Sequence, residues 1–174
     1  MAQPIAERMA GEITGEFVLF LIGARLNRPW KVMSWLPVVR AMPRMLAELD
    51  ARPELGLLHH RIHAGLLHVM VVQYWRSHAQ LQAYATARDR AHLPAWRDFN
   101  RAVGTGGDVG IWHETYLIGP GRSECIYVNM PPFGLGAAGR LIEASGNRAT
   151  AEGRLAAGRE QDGSLKDEPR EPPM

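Results

Sequence analysis

Residues 55–75 read LGLLHHRIHAGLLHVMVVQYW, two runs rich in β-formers on either side of the small pair Ala64-Gly65. Such runs separated by two turn residues predict a β-hairpin. With a two-residue turn, His63 pairs with Leu66, Arg61 with His68 and His60 with Val69. The two-residue alternation then places Leu58, His60, Ile62, Leu67, Val69, Val71, Gln73 and Trp75 on one face. The other face carries Leu57, His59, Arg61, His63, Leu66, His68, Met70, Val72 and Tyr74. The first set is apolar enough to be a core face under helices, with one histidine in it.

Outward from the hairpin, EFVLFLIGARL (16–26) is a short β-rich run bounded by Gly15 and Asn27, suited to a central strand buried on both faces. From Trp30 to Leu49, Trp35, Val38, Val39, Met42, Met45, Leu46 and Leu49 recur at three and four, which predicts an amphipathic helix. Pro37 and Pro43 are expected to start, kink or break it, leaving a short first turn and a bent main helix. After Trp75, SHAQLQAYATARDR predicts a helix capped by Ser77, and AHLPAWRDFNRAVG continues it or starts another that stops at Gly104. Asp108 to Ile118 reads as a strand, Gly-Pro-Gly as a turn, and ECIYVNM as a short returning strand.

The order strand, helix, strand, strand, helix, strand is the split βαβ, or ferredoxin-like, pattern of an α+β domain. Helices cover one face of such a sheet, and the other is commonly covered by a second subunit, so a homodimer is expected. The expected organisation is an N-terminal extension over 1–15, the domain over 16–143, and a disordered C-terminal tail over 144–174. That tail carries many charges and few large apolar residues, too few to offset the entropy of ordering it.

A chain of 174 residues suits one domain. Its net charge of +2, with no basic patch, gives no basis for nucleic-acid or membrane-surface binding. No signal peptide or membrane-length apolar run is present in the sequence, and the lone Cys125 cannot form an internal disulfide. A cytoplasmic protein is the expectation. Cys125 itself reads as a small buried apolar residue on a strand rather than a nucleophile.

The HHRIH run invites a metal reading, but His59 and His63 lie about 13 Å apart on a strand, too far to share an ion, and His68 is diagonal to each at about 7–8 Å. No metal is expected. His92, Trp96 and Asn100 recur at four-residue steps and share a helix face, as either a partly solvated helix end or part of a pocket wall. His113 shares its strand face with Val109, Ile111 and Thr115, while Glu114 shares the opposite face with Trp112 and Tyr116. His113 is then either a hydrogen-bonded core histidine or a general base or hydrogen-bond donor to a bound oxygen atom. Trp75 and Trp96 could line an aromatic-walled pocket. No Gly-x-Ser-x-Gly is present, and GTGGDVG lacks the lysine and helix of a phosphate-binding loop.

The runs VVQYWRS, HLPAWRDFNRAVG, GDVGIWHETY and IYVNMPPFGLG resemble a family of small proteins grouped with a monooxygenase of the fumagillin pathway and, more loosely, with the antibiotic biosynthesis monooxygenases. The resemblance covers about 16–139. It implies a dimeric α/β barrel whose subunits each hold a pocket between sheet and helices, and oxygenation of a small aromatic or terpenoid compound without metal or flavin. On that expectation His113, Asn100, His92 and Tyr116 are the catalytic candidates, and Trp75, Trp96, Trp112 and His60 bind the substrate. Two alternatives follow from related barrels: a haem protein of the aldoxime dehydratase kind, with a histidine on the iron, or a non-catalytic small-molecule-binding dimer.

Overall fold

The computed structural model describes residues 2–87 and 106–160. These form strand β1 (Met9–Glu12), β2 (Phe17–Leu26), helix α1 (Val32–Asp50), β3 (Leu57–Ala64), β4 (His68–Trp75), α2 (His78–Thr86), β5 (Val109–Ile118), α3 (Gly134–Ala138), β6 (Arg140–Glu143) and α4 (Ala151–Glu160). The chain divides into two compact units, Val18–Leu117 and the segments on either side of it.

The first unit is the ferredoxin-like one. β2, α1, β3, β4, α2 and β5 follow one another, and the sheet runs β3-β4-β2-β5, so the earliest strand lies between β4 and β5. β2 and β3 both pair antiparallel with β4. Val18 lies opposite Trp75 and Ala24 opposite Val69, which puts the even residues of β2 on the face carrying Val71, Gln73 and Trp75. Against this face pack Met45, Leu46 and Leu49 of α1 and Leu81 and Tyr84 of α2, all buried. Ala24, Val109, Trp35, Val69 and Ile111 continue the same layer toward the other end of β2.

The hairpin register differs from the expected one. Ala64 pairs with Val69 and His63 with Met70, and the Gly65 amide donates to the His68 carbonyl at 2.8 Å. A two-residue I′ or II′ turn would demand positive φ at Ala64, which a side chain disfavours. The connection is therefore longer, with Leu66 exposed at its tip. Because the slip is an even number of positions, the face assignments of residues 59–63 survive. They fail at Leu57 and Leu58: a register shift between Leu57 and His59 places Leu57 opposite Trp75, packed against the core.

α1 is uninterrupted over 19 residues despite Pro37 and Pro43. Both prolines are exposed, so the carbonyls of Met33 and Val39 that lose a helical donor lie on the outward side. Its start is tied down by Asp108, which accepts from Arg28 (2.9 Å), Lys31 (3.1 Å) and Ser34 (3.1 Å). α2 is capped by Ser77, whose Oγ accepts from the Gln80 amide at 3.2 Å, as the sequence predicts. The helical expectation for 91–104 lies outside the described residues.

In the second unit β1 pairs antiparallel with β6. The expected returning strand at ECIYVNM is reduced to two bridges, Ile5 with Met130 and Met9 with Tyr127. Cys125 is half-buried there, its thiol accepting from the Gly11 amide at 3.2 Å. Within the stretch expected to be a disordered tail, α4 is a helix. Small residues let it dock without large apolar ones: Ala157 is buried, and a side chain on Gly158 would come within 3.0 Å of Gly121. Arg154 fastens it, donating to Glu124 Oε2 at 2.8 Å and to the carbonyls of Arg148 and Ala149. Residues 161–174 lie outside the described part.

Leu49 is the deepest contribution of α1 to the core, 2% exposed. Leu49→Ala is expected to cost about 2–5 kcal/mol, read as a lowered urea midpoint with unchanged slope.

Candidate functional site

Between the helix-covered face of the first unit and its two helices lies a cleft of about 400 Å³ counted to its open mouth. Its free interior is about 50 Å³, room for a few waters. Phe20 and Ile22 line it from β2, Gln73 and Trp75 from β4, Met42, Met45 and Leu49 from α1, and Leu81 and Tyr84 from α2. The two methionines are unbranched and change rotamer easily, so the cleft can reshape around a ligand more readily than one walled by branched side chains.

Among the described residues few polar groups enter this apolar wall, chiefly Gln73, Trp75 and Tyr84. Gln73, 5% exposed, accepts a hydrogen bond from the indole N–H of Trp75 at 2.8 Å. Trp75 packs its ring 6.0 Å from that of Tyr84. The Tyr84 hydroxyl donates to Glu48 Oε2 at 3.1 Å, with the Met45 carbonyl 3.4 Å away. Burial first, then the Glu48 charge and hydrogen bond, push the Tyr84 pKa well above its ordinary value.

His60, on β3, lies opposite Gln73, a lining residue of the cleft. Its Nε2 is 3.0 and 3.1 Å from the two carboxylate oxygens of Asp50, at the end of α1. Its Nδ1 is buried and has no hydrogen-bond partner. His59, on the opposite face beside Tyr74, also has a buried ring nitrogen, Nε2, without a partner. Burial, then the neighbouring His60 and Arg61, lower the His59 pKa, so its neutral form is favoured.

The residues singled out in the sequence do not all meet here. Trp75 lines the cleft, and His60 pairs across the strands with Gln73, which lines it. His113 shares this face and lies 5.7 Å, ring to ring, from Phe20, but it is exposed. Trp112 is on the other face, its ring filling the space above Gly23, where a Cβ would come within 2.7 Å of it. Tyr116 and Glu114 are on that face too, the hydroxyl donating to Glu114 Oε2 at 2.6 Å. That bond holds the Tyr116 proton more tightly than in a free phenol. His92, Trp96 and Asn100 lie outside the described residues. No three His, Cys, Asp or Glu side chains among the described residues come together as a metal site.

Sequence reasoning passed over Asp50, Gln73 and Tyr84. Gln73 had a signal, as the one carboxamide in a row of Val and Trp. Asp50 had none, because its meeting with His60 depends on where α1 ends.

The family described as Monooxygenase af470-like matches residues 17–135, which include the whole of the sheet and both covering helices. No curated protein matches the chain in sequence. Among solved structures, an aldoxime dehydratase in complex with butyraldoxime is similar at 15% identity and a TM-score of 0.63, over 80% of this chain and 41% of that one. A second aldoxime dehydratase structure gives 16% and 0.60, over 92% and 46%. The chain thus spans less than half the length of these enzymes, and the likeness is one of fold. A cofactor-independent oxygenase from Streptomyces nogalater is similar at 12% identity and a TM-score of 0.43, over 58% of this chain and 91% of that one.

Tyr84 gives this site a pH signature. The unfolded chain releases its proton near pH 10.0, whereas the folded protein holds it to higher pH. The raised pKa therefore contributes stability that is full below pH 10 and lost as pH climbs toward the folded value. Urea midpoints on either side of pH 10 should show wild type losing more stability than Tyr84→Phe.

Proposed function

The chain belongs to the Monooxygenase af470-like family, and from that premise we propose that it oxygenates a small aromatic or terpenoid compound in the cleft beneath α1 and α2, with molecular oxygen and without a metal or flavin. The observation that carries this reading is the family match across 17–135, the segment that builds the cleft.

The chemistry balances without a redox group in the protein. An electron-rich substrate loses a proton to give an anion, the anion passes electrons to O₂, and an activated CH₂ becomes a carbonyl as the second oxygen atom leaves in water. The protein's part is to promote the anion, hold its oxygen and keep solvent away. The apolar cleft wall serves the last of these, and Trp75 is its aromatic floor. In this reading His92 and Asn100 would hydrogen-bond the substrate oxygen and Trp96 would add a wall, all three lying outside the described residues, and His113, exposed beside Phe20, would serve as base or proton donor. Tyr116, bonded to Glu114 on the opposite face, has no part in the cleft.

The aldoxime dehydratase likeness raises the haem alternative. With a free interior of about 50 Å³, the described cleft would have to widen for a one- or two-ring substrate and still more for a porphyrin. The smaller widening is what supports the cofactor-free reading.

The opposite face of the sheet, with Trp112 and Tyr116 exposed, is the surface a second copy would cover. Trp112→Glu should then lower the sedimenting mass to that of one chain. The proposed activity predicts oxygen uptake on electron-rich phenols that survives exhaustive treatment with a chelator. It also predicts no Soret band when haemin is added. A Soret band that disappears in His113→Ala would overturn the cofactor-free reading.

A further inference from the structure

Among the described residues, Nδ1 of His60, which pairs across the strands with the cleft-lining Gln73, is one of two buried side-chain polar atoms without a hydrogen-bond partner. Leaving such an atom without a partner costs about 1–3 kcal/mol, and native proteins rarely do so unless a water, an ion or a ligand completes it. The other ring nitrogen identifies what is missing. Asp50 is a carboxylate and can only accept, so Nε2, 3.0 Å from it, carries a ring hydrogen. In the neutral ring Nδ1 is then a bare lone pair, and its missing partner is a donor.

The neighbouring cleft is where that donor would come from. His60 lies directly across from Gln73, and Asp50 follows Leu49, both of which line it. A carboxylate on one imidazole nitrogen with the other left free is the arrangement that orients a general base and stabilises the imidazolium it becomes.

We infer that Asp50 and His60 form a carboxylate–imidazole dyad that takes the hydroxyl proton of a bound hydroxyarene, which makes an acidic aromatic alcohol the substrate class. This rests on the oxygenation reading above. The O–H bond of the substrate breaks, its proton forms an N–H bond at Nδ1, and its electron pair stays on oxygen as a phenolate. Nε2–H keeps its bond to Asp50 throughout. Asp50 does not touch the substrate and acts as a positioning residue.

The test uses 4-nitrophenol, whose phenol and phenolate absorb at different wavelengths, titrated into the full-length protein at a pH about one unit below its solution pKa, where roughly a tenth of the free probe is ionised. Wild type should bind it as phenolate, lowering its apparent pKa by about one unit and so raising the ionised fraction from roughly a tenth to about half. His60→Gln should abolish the gain. Asp50→Asn, which keeps the imidazole, should reduce it several-fold and serves as the second variant if His60→Gln fails to fold. A wild-type spectrum without the phenolate band, whether the probe binds neutral or does not bind, overturns the dyad, as does a band unchanged in either folded variant. Oxygen uptake by wild type on hydroxyarenes separates the two ideas. Uptake without the band sinks the dyad alone, and the band without uptake sinks oxygenation while the dyad stands.

Discussion

The burial of Trp75 is the constraint around which the first unit is arranged. It is 1% exposed, at the end of the strand that pairs on one side with β2 and on the other with β3, under both helices. An indole that deep must hand its N–H to a partner, and nothing in an aliphatic core can take it. Gln73, two residues earlier on the same face, supplies the oxygen. That requirement explains a carboxamide among valines, and it places a fixed dipole in the cleft wall. Val18 and Leu57 then close on the same ring from the two neighbouring strands, so one side chain aligns three strands and two helices.

Much of this architecture was legible from residues alone. Strands and hairpins announce themselves by alternation, and the order of elements gave the ferredoxin-like sheet before any coordinate. The faces of β3 and β4 could be read because alternation is insensitive to an even slip. What the pattern could not reveal was local backbone detail: that Ala64 resists the turn it was assigned, and that a bulge beside Leu58 swaps Leu57 inward. Nor did composition reveal α4. Its stabilisation comes from glycine and alanine allowing close approach and from one arginine reaching three oxygens, none of which raises apolar content.

The site was less legible than the fold, for a physical reason. Histidines at 60 and 113 were visible as polar interruptions on the covered face, but what an imidazole does depends on the partner of each nitrogen. For His60 that partner comes from the last residue of α1, ten positions earlier, and for His113 the neighbour is Phe20 on another strand. Trp112 shows the same limit from the other side. Its aromatic ring suited a pocket wall, yet the missing side chain at Gly23 offers it a seat on the opposite face.

The strand order β3-β4-β2-β5 has a consequence for how the chain comes into being. β2 is made first among the four, and its neighbours are residues 68–75 and 109–118. During synthesis its apolar ten residues therefore wait, with both hydrogen-bonding edges open, while roughly fifty and then forty more residues emerge. The β3–β4 hairpin, being local, can close on its own meanwhile and offer β4 as a template. An early strand left waiting in this way is the part of the molecule that chaperones would most usefully shield.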